Sequence, residues 1–226
     1  MPVFQLTNDI IFPPPEMAEP DGLLAVDGDL SPARLLTAYS AGIFPWYSQG
    51  EPILWWSPSP RMVLFPERFH CSRRLARIIR QKVFRVTADT AFERIISSCA
   101  DIRLGKGEAT WITDEMKEAY IRLFRMGFAH SIECWLGEEL AGGLYGVSLD
   151  KVFFGESMFS RVSNGSKVAL ATLADRAGYL GIEMMDCQMR TNHLQSLGAR
   201  EIPGKTFRAL LDTHINTMEP QKKWRL

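Results

Sequence analysis

Cysteine is scarce in this chain, and the four present (Cys71, Cys99, Cys134 and Cys187) lie far apart with no Cys-x-x-Cys pair. That spacing argues against a thiolate zinc site or a disulfide framework, and it predicts a reduced, cytoplasmic setting. Long apolar runs are missing too: nothing approaches the roughly 20 residues of a membrane helix. The opening Met-Pro-Val-Phe-Gln-Leu-Thr-Asn-Asp9 lacks the basic stretch of a signal peptide, so none is expected. The few histidines (His70, His130, His193 and His214) show neither ligand spacing nor a neighbouring nucleophile motif, and no repeat or low-complexity tract occurs.

Net charge is also absent. The 226 residues carry 26 basic and 26 acidic side chains, which would seem to speak against a polyanionic partner. The sum hides a division, however. Residues 1–60 hold Arg34 as their one basic residue against seven acidic ones, whereas residues 61–85 hold eight basic residues against Glu67 alone. Nucleic acid is therefore not excluded.

Ten of the 13 prolines and three of the six tryptophans fall in the first 60 residues. Proline removes backbone donors, so this stretch reads as a small, loop-rich unit. It has one clear helix, with Ser31 as N-cap, Pro32 in the first turn, Leu35, Leu36 and Tyr39 inward and Gly42 as the stop. From residue 61 the texture changes. A strand is predicted over Met62–Phe65, a helix from a Ser72 cap to about Lys82 with Leu75, Ile78 and Ile79 on its core side, and a strand over Val83–Thr87. Further helices are predicted from an Asp89 cap through Cys99 and from a Thr113 cap to Gly127. Three strand-like runs (129–136, 139–148 and 151–159), turned at Gly137 and Asp150, should form an antiparallel meander. A helix (166–179), a strand (182–188), a short helix (192–197) and a last helix (205–214) follow. This predicts an α+β chain with residues 1–60 as a small, proline-rich α+β domain and 61–226 as a second, acetyltransferase-like one. The βββαβα order of the second is the layout of acetyltransferase-like (GNAT-type) domains with a mixed sheet.

Carboxylates inside apolar strands are the strongest chemical signal. Alternation in Val152–Phe159 puts Phe154, Glu156 and Met158 on one face; in Ile182–Gln188 it puts Met184, Asp186 and Gln188 on one face. A buried unpaired carboxylate costs several kcal/mol, so each needs a partner or a task. A structural hydrogen bond is the plainer reading. Arg73, Arg77 and Arg80 are spaced to form one exposed helical stripe that could track phosphates; a merely solvated face is the alternative. Trp46 and Trp111 occupy loop and helix-entry positions where an aromatic ring can stack a base, although core packing is the commoner use of a Trp. Ser163-Asn-Gly-Ser-Lys167 leads into a helix, but Asn164 and Ser166 replace the small residues of an acetyl-CoA pyrophosphate loop.

Taken in order, several strings resemble a known family. Asp21-Gly-Leu-Leu-Ala-Val-Asp-Gly-Asp-Leu-Ser-Pro32, Gly42-Ile-Phe-Pro-Trp46 and Trp55-Trp-Ser-Pro58 are similar to the N-terminal signatures of bacterial leucyl/phenylalanyl-tRNA–protein transferases. Thr110-Trp-Ile112, His130-Ser-Ile-Glu133, Gly142-Gly-Leu-Tyr-Gly146, Phe154-Gly-Glu-Ser-Met-Phe-Ser160 and Asp186-Cys-Gln188 resemble the remainder. The resemblance runs from about residue 12 to 208.

It implies transfer of Leu or Phe, less readily Met, from aminoacyl-tRNA to the N-terminal Arg or Lys of a protein, marking that protein for N-degron degradation. It implies no metal and no organic cofactor. It also implies catalytic roles for Asp186, Gln188 and Glu156. Gln188 would orient the attacking amine, Asp186 would polarise Gln188, and Glu156 would bind the acceptor's cationic end. Leu144, Phe153, Gly155, Met158, Leu170, Leu173 and Met185 would line the amino-acid pocket. Phe153 and Met158 can share that pocket only if their strand is bulged or splayed. Trp46 and Trp111 would hold the terminal adenosine, and Arg73, Arg77, Arg80 and Lys82 the tRNA. Two rival readings remain: a CoA-dependent N-acyltransferase, and a non-catalytic RNA-binding module.

Overall fold

The computed structural model describes residues 3–105 and 110–226. Its first 60 residues carry more regular structure than their prolines suggested. Strands β1 (Phe4–Leu6), β2 (Leu23–Asp27), β3 (Phe44–Pro45) and β4 (Leu54–Trp56) form a sheet of order β1-β2-β4-β3. Proline is tolerated because Pro45 sits on the edge strand, where a missing N–H costs no ladder bond. Helix α1 (Pro32–Ser40) follows the expected signals: Ser31 Oγ accepts the Arg34 N–H, and Gly42 takes a φ of +75° after the last turn.

Residues 61–226 supply β5 (Arg61–Leu64), α2 (Arg73–Arg80), β6 (Arg85–Ala88), α3 (Phe92–Gly105), α4 (Asp114–Met126) and β7 (Ala129–Leu136). Then come β8 (Glu139–Leu149), β9 (Val152–Ser160), α5 (Gly165–Leu180), β10 (Met184–Gln188), α6 (Asn192–Ser196), β11 (Arg200–Ile202) and α7 (Gly204–His214). The strands make one mixed sheet, ordered β11-β5-β10-β9-β8-β7-β6. The expected meander is β7-β8-β9, and α5 then crosses over so that β10 runs parallel to β9. Two apolar clusters cover the sheet. Tyr39, Trp55, Phe92, Tyr120, Phe154 and Met184 belong to one; Leu64, Leu75, Leu144, Phe153, Leu170 and Met185 belong to the other. The first cluster is continuous across residue 60, so the small sheet packs into the same interior as α3 and α4.

Four local expectations change. Asp89 does not cap α3, which starts three residues later; its carboxylate is buried on His130, Ser131 and Trp224. Ile79 is 39% exposed, so α2 buries a narrower stripe than Leu75, Ile78 and Ile79 together. Strand β11, short and two-thirds charged, pairs with β5 although its composition carries no strand signal. Strict alternation also fails in β9. Tyr145 pairs with Ser157 and Gly146 with Gly155, leaving Glu156 as an extra residue. This bulge puts Phe153 and Met158 on the same face while Phe154 points to the opposite cluster.

Candidate active site

The site lies where β9 and β10 part. Their pairing ends at Phe154 opposite Asp186, because each strand is distorted immediately beyond. β9 has its bulge at Glu156, and β10 has one at Cys187, after which Gln188 adopts a φ of +60°. The strands can no longer exchange ladder bonds there. A cavity of about 410 Å³ opens in the gap.

Its apolar wall comes from Leu144 on β8, Phe153 and Met158 on β9, Leu170 on α5 and Met185 on β10. Gly155 lines it as well. Of the expected pocket residues Leu173 alone is not in the lining; it is fully buried in the cluster behind. Leu170 and Leu173 are one turn apart on the same face of α5, and Leu173 packs into the cluster behind the lining. Trp46 and Trp111 both border the cavity, Trp46 from the loop after β3 and Trp111 from just before α4. Trp46 is held in place by the Trp56 indole, which donates to its carbonyl at 2.7 Å. Its own ring is 37% exposed, as a stacking surface needs to be.

Glu156, Asp186 and Gln188 converge on the cavity. Gln188 Nε2 donates to Glu156 Oε1 at 2.9 Å, bridging the parted strands. Glu156 Oε2 accepts from the Tyr120 hydroxyl at 2.7 Å, and Tyr120 in turn adjoins the Tyr39 hydroxyl. Burial pushes the Glu156 carboxyl up to about 7, against the lowering effect of the Tyr120, Tyr39 and Gln188 donors; the Asp186 charge nearby adds to the rise. Burial likewise raises both tyrosines well above their ordinary value. Among the described residues, no Lys, Arg or His pairs with Glu156.

Asp186 is arranged differently. Arg61 grips both its oxygens, Nε to Oδ1 at 2.8 Å and Nη2 to Oδ2 at 2.6 Å, in a fully buried bidentate pair. The guanidinium lies between the rings of Phe44 and Phe207, 4.8 and 4.7 Å from their centroids. Asp186 Oδ1 also accepts the backbone N–H of Gln188 at 2.8 Å, which pins the left-handed residue. The expected polarisation of the Gln188 carboxamide by Asp186 has no direct contact behind it: the carboxamide bonds to Glu156. Asp186 acts on Gln188 through its backbone.

Sequence reasoning missed Arg61, Phe44, Tyr39 and Tyr120. A signal for Arg61 was available, since a carboxylate buried in an apolar strand requires a cation and Arg61 opens a strand that is otherwise apolar. Nothing in the spacing identified the tyrosines, which looked like ordinary inward residues of two helices. The four residues Arg73, Arg77, Arg80 and Lys82 are all exposed on or just after α2. Among the described residues none of them forms an ion pair with a carboxylate. At the start of α5 the turn is closed by the protein itself. Ser160 Oγ accepts the Ser166 N–H, and Gly165 packs so closely on Ala141 and Gly142 that a Cβ there would meet the Ala141 carbonyl at 2.8 Å. A phosphate has no cradle there.

Residues 63–212 match the family model described as leucyl/phenylalanyl-tRNA protein transferase, and residues 28–59 match the model for that family's N-terminal domain. A protein named leucyl/phenylalanyl-tRNA–protein transferase from Desulfatibacillum aliphaticivorans is 55% identical over all of this chain and 97% of its own length. The protein of that name from Desulfotalea psychrophila is 51% identical, covering 100% of both chains. Among solved structures, an aminoglycoside acetyltransferase from a soil metagenome aligns at 10% identity over 65% of this chain and 97% of its own, with a TM-score of 0.39. L-PGS from Bacillus licheniformis aligns at 11% identity over 76% of this chain and 55% of its own, with a TM-score of 0.43. Likenesses this loose carry no argument about the site.

Proposed function

The chain belongs to the leucyl/phenylalanyl-tRNA protein transferase family, and we propose that its cavity joins Leu or Phe from aminoacyl-tRNA to the α-amine of an N-terminal Arg or Lys. The product carries a new N-terminal residue that marks it for degradation. Met is a poorer donor in this reading. The observation that carries it is Glu156: a buried carboxylate with no cation among the described residues, set beside Gln188 in the lining of an apolar cavity. A cationic acceptor side chain is the partner that such a carboxylate requires.

The aminoacyl ester is already activated, so aminolysis needs no ATP. The amine nitrogen attacks the ester carbonyl carbon, and the bond from that carbon to the ribose oxygen breaks. The nitrogen loses a proton and the departing oxygen gains one. Free α-amines have pKa values of about 7.7–8.0, so a useful fraction is neutral at pH 7. With Nε2 of Gln188 committed to Glu156, its Oε1 is left to accept an amine N–H and aim the lone pair at the carbonyl. A carboxamide is too weak a base to remove the proton itself; a terminal ribose hydroxyl of the tRNA can relay it. Asp186, held by Arg61, keeps Gln188 in position.

Leu144, Phe153, Met158, Leu170 and Met185 take the Leu or Phe side chain, the two methionines adjusting to either shape. Trp46 and Trp111 hold the terminal adenine. In this reading residues 1–60 serve as a small domain that presents Trp46. The α2 arginines and Lys82 follow tRNA phosphates without reading sequence, leaving selection to the amino acid. No helix among the described residues is long and apolar enough to cross a membrane, which fits a cytoplasmic reaction.

The test incubates labelled Leu-tRNA with a peptide beginning in Arg, alongside the same peptide with an acetylated N-terminus. Transfer to the free amine alone is expected. No transfer, or equal transfer to both peptides, sinks the reading.

A further inference from the structure

After α7 the chain runs on through residues 215–226 without regular structure, and it is tied down at Asn216, Gln221 and Trp224. Asn216 donates its backbone N–H to Asp150 Oδ2 at 2.8 Å, and Gln221 donates its own to the Gly127 carbonyl at 2.8 Å. Gln221 is pressed so closely on the turn after α4 that a Cβ on Gly127 would lie 2.5 Å from its carbonyl oxygen. The Gln221 amide reaches the Asp150 carbonyl at 3.2 Å, and its Oε1 accepts from the Trp224 indole at 3.0 Å. Trp224, only 5% exposed, donates its backbone N–H to Asp89 Oδ2 at 2.7 Å.

Asp89 is the anchor. It is a non-glycine residue at a φ of +53°, and its carboxylate also meets His130 Nδ1 at 2.7 Å and the Ser131 N–H at 2.9 Å. Holding a left-handed aspartate costs energy that three bonds to one carboxylate offset. Above it the His130 and Trp224 rings stack, 4.3 Å apart and 3° from parallel. The Trp224 ring also meets Phe153, with centroids 5.7 Å apart and the planes tilted by 42°. Phe153 is the wall of the cavity, and its ring crosses Gly146, where a Cβ would come within 2.6 Å of Cζ. The order outward from the cavity is therefore Phe153, Trp224, His130 and Asp89.

We propose that Trp224 is a specificity-determining positioning residue: the strap of residues 215–226 holds Phe153 forward and so sets the depth of the side-chain cavity. This rests on the reading that the cavity takes the transferred amino acid's side chain. Trp224 touches no substrate and acts only through Phe153. Removing its indole opens space into which the Phe153 ring can retreat, so the cavity deepens. Leu then fills it less well and Phe better.

The experiment compares kcat/KM for Leu-tRNA and Phe-tRNA, with an Arg-initiated peptide as acceptor, in the wild type, Trp224→Ala and Trp224→Phe. Trp224→Ala is expected to raise the Phe-to-Leu ratio about tenfold, while Trp224→Phe, which keeps a ring against Phe153, stays within about twofold of the wild type. A Trp224→Ala protein that loses both activities by the same factor overturns the proposal, because a purely structural strap moves rates but not the ratio. If that variant does not fold, Trp224→Leu is judged by the same ratio. A wild type that transfers neither amino acid overturns the functional reading instead.

Discussion

Two carboxylates on neighbouring strands line one cavity, and the protein treats them in opposite ways. Asp186 on β10 is closed off: both oxygens are in the grip of Arg61, itself held between two aromatic rings. Among the described residues, Glu156 in the β9 bulge meets neutral donors alone: Tyr120, Tyr39 and Gln188. A charge whose counter-ion is built in is structural, and its function passes through what it holds. A carboxylate met by neutral donors is, in the proposed reaction, where the acceptor's cation binds. On α2 the same logic appears with the sign reversed and water in place of burial, since the arginines there are exposed and have no acidic partner among the described residues.

Breaking the built-in pair should have the largest effect. Arg61→Met leaves Asp186 buried without its cation and is expected to cost about 3–5 kcal/mol in urea unfolding. The double variant Arg61→Met/Asp186→Leu should recover most of that loss. Equal losses in single and double variants would show that the two residues do not behave as a pair.

Glu156 should respond with the opposite sign. Its folded-state pKa of about 7 lies above the ordinary 4.5, so folding favours the protonated form. That contribution is complete below about pH 4.5 and disappears as pH rises through about 7. Glu156→Gln, neutral throughout, should therefore unfold much like the wild type at pH 5 and be more stable at pH 8.5, by up to about 3 kcal/mol. A pH-independent difference between the two proteins would contradict this account. The same variant should lose its preference for Arg over an uncharged first residue in the acceptor peptide.

The smallest effect belongs to the exposed charges. Arg77→Glu should raise the KM for aminoacyl-tRNA and lower the salt slope of tRNA binding by about one phosphate contact, while sparing a short aminoacyl-adenosine substrate. Equal damage to both substrates would remove the α2 stripe from the tRNA path.

Much of the fold could be read from local signals. Ser31, Ser72 and Thr113 cap the helices they were expected to cap, and Gly127 stops α4 with a φ of +85°. The β7-β8-β9 meander followed from turn residues and strand runs. The strands of the small sheet could not be placed from the sequence because they are only two to five residues long, and β11 because pairing with β5 outweighs its polar composition. Asp89 was misread because an aspartate before a helix is ordinarily a cap. Only the fold brings Trp224, 135 residues away, onto its carboxylate.

Within the site, the identities of Asp186, Gln188 and Glu156 stood out because carboxylates in apolar strands are costly wherever they occur. Their division of labour did not. Arg61 is 125 residues from Asp186, and no periodicity connects them. The shared face of Phe153 and Met158 likewise depends on one bulged residue.

By itself the sequence determined which residue types stand out: a clustered basic helix, tryptophans at loop and helix-entry positions, and acidic side chains in apolar strands. All of these follow from short-range pattern and from the separation of charge along a chain whose net charge is zero. Only the tertiary structure decided which carboxylate is paired with a cation and which meets neutral donors. The reason is physical: a buried charge is governed by what lies within a few ångströms of it, and those neighbours arrive from distant parts of the chain.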